Sequence, residues 1–93
     1  MGIAMREAAL EAKLATLVKA KGGVAYKLDT RAKKGAPDRV VVLPGREATF
    51  VELKTDRGRL SPMQEVELDR IRAAGGHGVV LYGLAQVQRF VDA

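Results

Sequence analysis

Three residues of this chain have types and spacing that could do chemistry together. Asp38 closes the stretch Gly35-Ala36-Pro37-Asp38, and Glu52 and Lys54 sit in Val51-Glu52-Leu53-Lys54. The segment that carries them reads KGAPDRVVVLPGREATFVELK. An aspartate opens one apolar run, and a Glu-x-Lys triplet closes the next. Two acids and a lysine gathered at strand ends can hold a divalent cation beside a water molecule. That is the minimal equipment for hydrolysing a phosphodiester.

The elements around these residues decide whether they meet. Side chains alternate along a strand, so Phe50, Glu52 and Lys54 share one face and Val51 and Leu53 the other. An isolated Glu-x-Lys is ordinarily a same-face ion pair on a half-exposed strand. Asp38 changes that balance. The turn Pro44-Gly45-Arg46-Glu47 joins the run from Asp38 to the run ending at Lys54, and a hairpin folded there brings Asp38 to the Lys54 end of the sheet. Asp38, Glu52 and Lys54 should therefore converge at one edge. Pro37 fixes the backbone entering that strand, and it equally suits any strand start.

Two further acids lie in an amphipathic helix expected from about Ala4 to Lys21, where Ile3, Leu10, Leu14, Leu17 and Val18 recur at helical spacing. With Leu14 at zero, Glu7 falls at about +20°, inside the apolar stripe, and Glu11 at about +60°, on its margin. A carboxylate in an apolar stripe needs a partner, such as a metal or the site's lysine. A helix start also favours an acid through its dipole, which accounts for Glu7 equally well. Gln64 has two readings as well. Ser61-Pro62-Met63-Gln64 is a capping box, which explains it completely. It also shares a helix face with Leu68 and Ile71, where it could reach a phosphate or a water of the site. His77, in Gly75-Gly76-His77-Gly78, reads as a turn residue. Arg31, Lys33 and Lys34 lie in one polar loop and Arg57 and Arg59 in another, and both loops would flank the site.

The order of elements reads αβββαβα: the first helix, strands at Val24–Leu28, Asp38–Leu43 and Thr49–Lys54, a helix from Ser61-Pro62 to the Gly75-Gly76 stop, a strand at Gly78–Tyr82 and a closing helix over Leu84–Val91. The 93 residues suit one domain with one core and show no repeat or linker. Sixteen Lys and Arg against eleven Asp and Glu leave a net charge of +5, which suits a nucleic-acid partner. No cysteine is present, which excludes disulfides and thiolate metal sites. No apolar run approaches the ~20 residues of a membrane helix, and no signal-peptide core opens the chain, so a cytoplasmic protein without a membrane partner is expected. Two Tyr, two Phe and no Trp argue against a base-stacking platform.

Taken together, these motifs resemble those of VRR-NUC domains, a branch of the PD-(D/E)xK nucleases. The resemblance runs through nearly the whole chain: a glutamate in the first helix, G-x-P-D at Gly35 to Asp38, E-x-K at Glu52 to Lys54, S-P-x-Q at Ser61 to Gln64, and the strand Gly78 to Tyr82. It implies an α/β fold, a single αβββαβ(α) restriction-endonuclease-like core over residues 1–93 with a central mixed four-stranded sheet. It also implies Mg²⁺ or Mn²⁺ held by Asp38, Glu52 and the Leu53 backbone carbonyl. Lys54 would orient or activate the attacking water. The helix carboxylate, Glu7 with Glu11 as the alternative, would contact a water on the metal or a second metal. Gln64 would join the catalytic set. Arg31, Lys33, Lys34, Arg39, Arg57 and Arg59 would bind DNA. The chain looks like a stand-alone, phage-like minimal form, which implies a homodimer cutting branched DNA such as four-way junctions inside a bacterial host. The competing expectation is a basic nucleic-acid-binding module without catalysis. Two acids beside a phosphate would repel DNA in such a module unless a metal intervened. A third, a small interaction protein with a surface Glu–Lys pair, leaves Glu7 and the basic loops without a role.

Overall fold

The computed structural model describes residues 5–29 and 31–93. Three helices and four strands follow in the order α1 (Glu7–Ala20), β1 (Val24–Lys27), β2 (Arg39–Val42), β3 (Thr49–Lys54), α2 (Pro62–Ala73), β4 (His77–Tyr82) and α3 (Gly83–Asp92). This is the α/β arrangement that the apolar periodicities predict. The expected beginning of α1 at Ala4, with Ile3 in its stripe, lies outside the described residues. His77 is not a turn residue as expected but the exposed first residue of β4.

The strands form one sheet in the order β1-β2-β3-β4. β1 and β3 both run antiparallel to β2, while β4 lies parallel to β3 and is reached through α2. A parallel neighbour needs such a crossover, because a tight turn can only reverse the chain. One sheet face carries the core. Leu10, Leu14 and Val18 of α1 and Val87 and Val91 of α3 pack with Val41, Leu43, Val51, Leu53 and Leu81. Each such buried Leu or Val contributes roughly 1.5–3 kcal/mol. α2 lies on the opposite face, over the β3–β4 half. There Gly78 leaves room for the Leu68 and Ile71 side chains, and a Cβ on it would lie 3.1 Å from Leu68 Cδ2.

The loop between β1 and β2 is fastened to α2 by a close backbone approach. Gly35 has φ +87°, and a Cβ there would stand 2.6 Å from the Met63 carbonyl oxygen. Only glycine satisfies both conditions. The buried Pro37 then leads into Asp38. Gly75, just past α2, also has positive φ (+92°) but open space around it. Gly35→Ala should therefore cost about 2–4 kcal/mol, against about 1 kcal/mol for Gly75→Ala. Urea denaturation of the two variants checks this, and equal losses would remove the steric role assigned to Gly35.

Candidate active site

Hairpin register decides which side chains meet. Arg39 pairs with Val51, so Asp38 stands one residue beyond the ladder, opposite Glu52. Asp38 Oδ2 accepts a 2.9 Å hydrogen bond from the Leu53 N–H. The N–H and C=O of one extended residue point to the same side of a strand. The Leu53 carbonyl therefore also points towards Asp38, past the end of β2.

Glu52 is the most unusual residue of the site. It is 2% exposed, on the face covered by α2. Its Oε2 accepts a 3.1 Å bond from Gln64 Nε2 and lies 3.8 Å from Lys54 Nζ. Its Oε1 is buried without any hydrogen-bond partner. Burial and the Asp38 carboxylate push the Glu52 carboxyl up to about 8, although Lys54 pulls the other way and Glu7 adds a weaker upward push. Lys54 is itself largely shielded, with 11% of its side chain exposed. Asp38, Glu52 and Lys54 thus converge at the sheet edge that the hairpin argument anticipates.

Gln64 serves two neighbours at once. Ser61 Oγ accepts from the Gln64 N–H at 3.2 Å, and the Gln64 carboxamide oxygen accepts from the Ser61 N–H at 2.9 Å. The amide nitrogen remains free to donate to Glu52. The capping box therefore does not compete with contact to the site. It aims that contact.

The two helix acids separate in the folded chain. Glu7 is exposed, not inside the apolar stripe, because α1 begins there and full burial starts only at Leu10. Its charge still acts on Glu52. Glu11 is engaged elsewhere, bonded to Arg39 Nε at 3.0 Å and paired with Lys27 Nζ at 3.1 Å. Arg39 pairs with Val51 and so faces α1, away from Glu52. Its guanidinium also donates to the Ala25 carbonyl at 2.8 Å, and its side chain is 16% exposed. Arg39, expected among the DNA-binding cations, is thus turned inward by strand alternation and engaged within the fold. His77 pairs with Thr49, at the far end of β3 from Lys54.

Among the loop cations, Lys34, Arg57 and Arg59 are exposed, and none of the three forms an ion pair among the described residues. Arg31 is exposed and paired with Asp29. Lys33 reaches Glu67 of α2 at 3.5 Å. Sequence reasoning missed Glu67. A helical projection of α2 would have found it, since Glu67 lies about 60° from Gln64, on the side turned to the sheet.

The VRR-NUC domain family matches residues 5–85. A phage protein named "Putative nuclease p44", from Acyrthosiphon pisum secondary endosymbiont phage 1, is 38% identical over 77 residues, which is 83% of each chain. A solved VRR_NUC domain superposes with TM-score 0.82 at 30% identity, covering 92% of this chain and 94% of its own. A solved VRR_NUC domain protein, 15% identical, shares the fold with TM-score 0.75 over 95% of this chain and 86% of its own. A family match across most of the chain, carried on the same strand–turn–strand and capped helix that build the site, means that the chain belongs to the VRR-NUC family.

Proposed function

We propose that this protein is a metal-dependent, structure-selective DNA endonuclease that hydrolyses phosphodiester bonds in branched DNA such as four-way junctions. The observation that carries the reading is the orphaned Glu52 Oε1, buried beside a second carboxylate. Two acids held together in a desolvated place repel one another unless a proton or a cation lies between them. The donor set suits a hard cation that prefers oxygen ligands. Among the described residues no group of three or more acidic, histidine or cysteine side chains gathers around a metal position. Mg²⁺ or Mn²⁺ would therefore be held by Asp38, Glu52 and the Leu53 carbonyl, with water completing its shell. When bound, the metal would supply Lewis acidity to water and to the phosphate.

The chain's own residues have distinct parts in this reading. Gln64 fixes Glu52 Oε2 and so leaves Oε1 for the cation. Lys54 holds a positive charge beside the reacting phosphate, where it orients the attacking water and offsets developing negative charge. Glu7 adds negative potential at the mouth of the site. Arg31, Lys34, Arg57 and Arg59, with the exposed part of Lys33, give the phosphate backbone its counter-charges. Similarity to a phage protein is in keeping with action inside a bacterial cell.

A homodimer belongs to the same reading. α2 covers only part of its sheet face. Over β1 and β2 the register places Val24 beside Val42 and Tyr26 beside Val40, with Phe50 of β3 on the other side of Val40. Val24, Tyr26 and Val42 are 42%, 65% and 37% exposed. This uncharged face adjoins the Asp38–Glu52 row. A two-fold dimer through it would supply the paired cuts that a junction requires.

Three outcomes are expected. Asp38→Asn or Lys54→Ala should lower Mg²⁺- or Mn²⁺-dependent cleavage of labelled four-way junction DNA by about 10²–10³-fold while circular dichroism stays unchanged. Undiminished cleavage by either variant would refute the site, and DNA binding without any cleavage by the wild type would favour a non-catalytic binding module. The second outcome concerns pH. The Glu52 carboxyl titrates near its ordinary 4.5 when unfolded and near 8 when folded, so the native state holds the extra proton between these values. Without metal, its contribution to stability is full below about 4.5 and is lost as pH rises towards about 8. In EDTA, Glu52→Gln should be more stable than wild type at pH 8 by about 1–3 kcal/mol. Urea titrations at pH 5 and 8 would show this, and a Glu52→Gln variant no more stable than wild type at pH 8 would contradict it. Third, Tyr26→Glu combined with Val42→Glu should convert a dimer to a monomer in sedimentation equilibrium, and paired junction cuts should become single nicks. A wild type that sediments as a monomer would remove the dimer.

A further inference from the structure

One buried carboxylate lies outside the site described above. Glu67 of α2 is 8% exposed, and its Oε1 accepts a 3.0 Å bond from Arg70 and lies 3.5 Å from Lys33 Nζ. Arg70 is on the same helix, three residues on. Lys33 belongs to the loop between β1 and β2 that delivers Asp38. A shielded carboxylate needs a partner, and Arg70 already provides one. What Lys33 adds is a tether between elements.

That tether acts on a short, stiff path. The Ala36 N–H donates to the Lys33 carbonyl at 3.2 Å, closing a turn. Gly35 lies against the Met63 carbonyl, Pro37 is buried, and Asp38 follows. α2 therefore grips the loop at two points one helical turn apart, Met63 and Glu67. The same helix grips Glu52 through Gln64. Both carboxylates of the proposed cation site are thus set from one rigid element.

We infer that Glu67 is a positioning residue: through Lys33 it holds the 31–37 loop on α2 and so fixes Asp38 at the separation from Glu52 that a divalent cation requires. This rests on the metal-dependent reading above. It makes a prediction that charge alone does not. Removing the negative Glu67 should weaken cation binding on either view. Removing the positive Lys33 should strengthen it if only charge matters, and weaken it if the tether matters.

The test is Mn²⁺ binding, followed by the electron paramagnetic resonance of the free ion, for wild type, Glu67→Gln, Lys33→Met, the double variant and Asp38→Asn. Thermal unfolding in EDTA serves as the folding control. Glu67→Gln and Lys33→Met should each raise the Mn²⁺ Kd by about threefold to tenfold, and the double variant should be no worse than either. Lys33→Met, an exposed substitution, carries the test alone if Glu67→Gln loses its fold. Unchanged or tighter Mn²⁺ binding by Lys33→Met overturns the inference, as do single effects that multiply in the double variant. Loss of binding in Asp38→Asn with no change in Lys33→Met would defeat the tether but keep the metal site. A wild type that does not bind Mn²⁺ would overturn both.

Discussion

A carboxylate kept from water is unfavourable unless something compensates its charge, and the chemistry of this molecule is arranged around one such group. Glu52 is enclosed by its own sheet and by α2, faces Asp38, and keeps one oxygen with no partner. The protein-derived compensation is partial. Gln64 gives one hydrogen bond, and Lys54 gives a positive charge at 3.8 Å. Neither reaches Oε1. The remainder is left to a proton or, in the reading proposed above, to a cation.

Such a residue is tolerated because the two faces of the sheet have different tasks. The face towards α1 and α3 is apolar, and its side chains fill the main core. The opposite face carries the polar row that begins at Asp38 and Glu52. Period-2 alternation in β3 makes this division possible within six residues, since Val51 and Leu53 serve the core while Glu52 and Lys54 serve the site. Summed over ten clustered core side chains, the apolar gain exceeds the several kcal/mol that one poorly paired carboxylate costs.

α2 is the element through which loop, strand and site communicate. Its first turns present the Met63 carbonyl to Gly35, the Gln64 amide to Glu52 and the Glu67 carboxylate to Lys33. The capping box strengthens this role. It makes the Gln64 side chain part of the helix end, so the group that holds Glu52 is itself held from two sides. A site built in this way depends on backbone geometry more than on side-chain flexibility, as a preorganised site should.

Much of this arrangement is legible from residue order. The apolar periods of 3.6 and 2, the glycine stops and the Ser-Pro helix start specify every element to within a few residues. The turn after β2 specifies the hairpin and brings Asp38 to the Glu52–Lys54 end, but a four-residue loop over Pro44–Glu47 would set Asp38 against Leu53, whereas the observed register sets it against Glu52. These features are local: each follows from neighbours in the chain. What local pattern could not decide was the fate of charges whose partners come from distant elements. Glu7 and Glu11 look alike on a helical projection, yet Arg39, 28 residues on from Glu11, takes Glu11 while Glu7 is left to act on Glu52. Arg39 and Lys33 read as surface cations like Lys34, yet strand alternation turns Arg39 into the fold and an unforeseen acid on α2 pairs with the still exposed Lys33. Residue order alone settles the elements and the groups able to do chemistry, because backbone and apolar preferences act over a few residues. Which charges neutralise one another, and which stay available, is settled in three dimensions, because an ion pair depends on distance in space and on the water excluded around it.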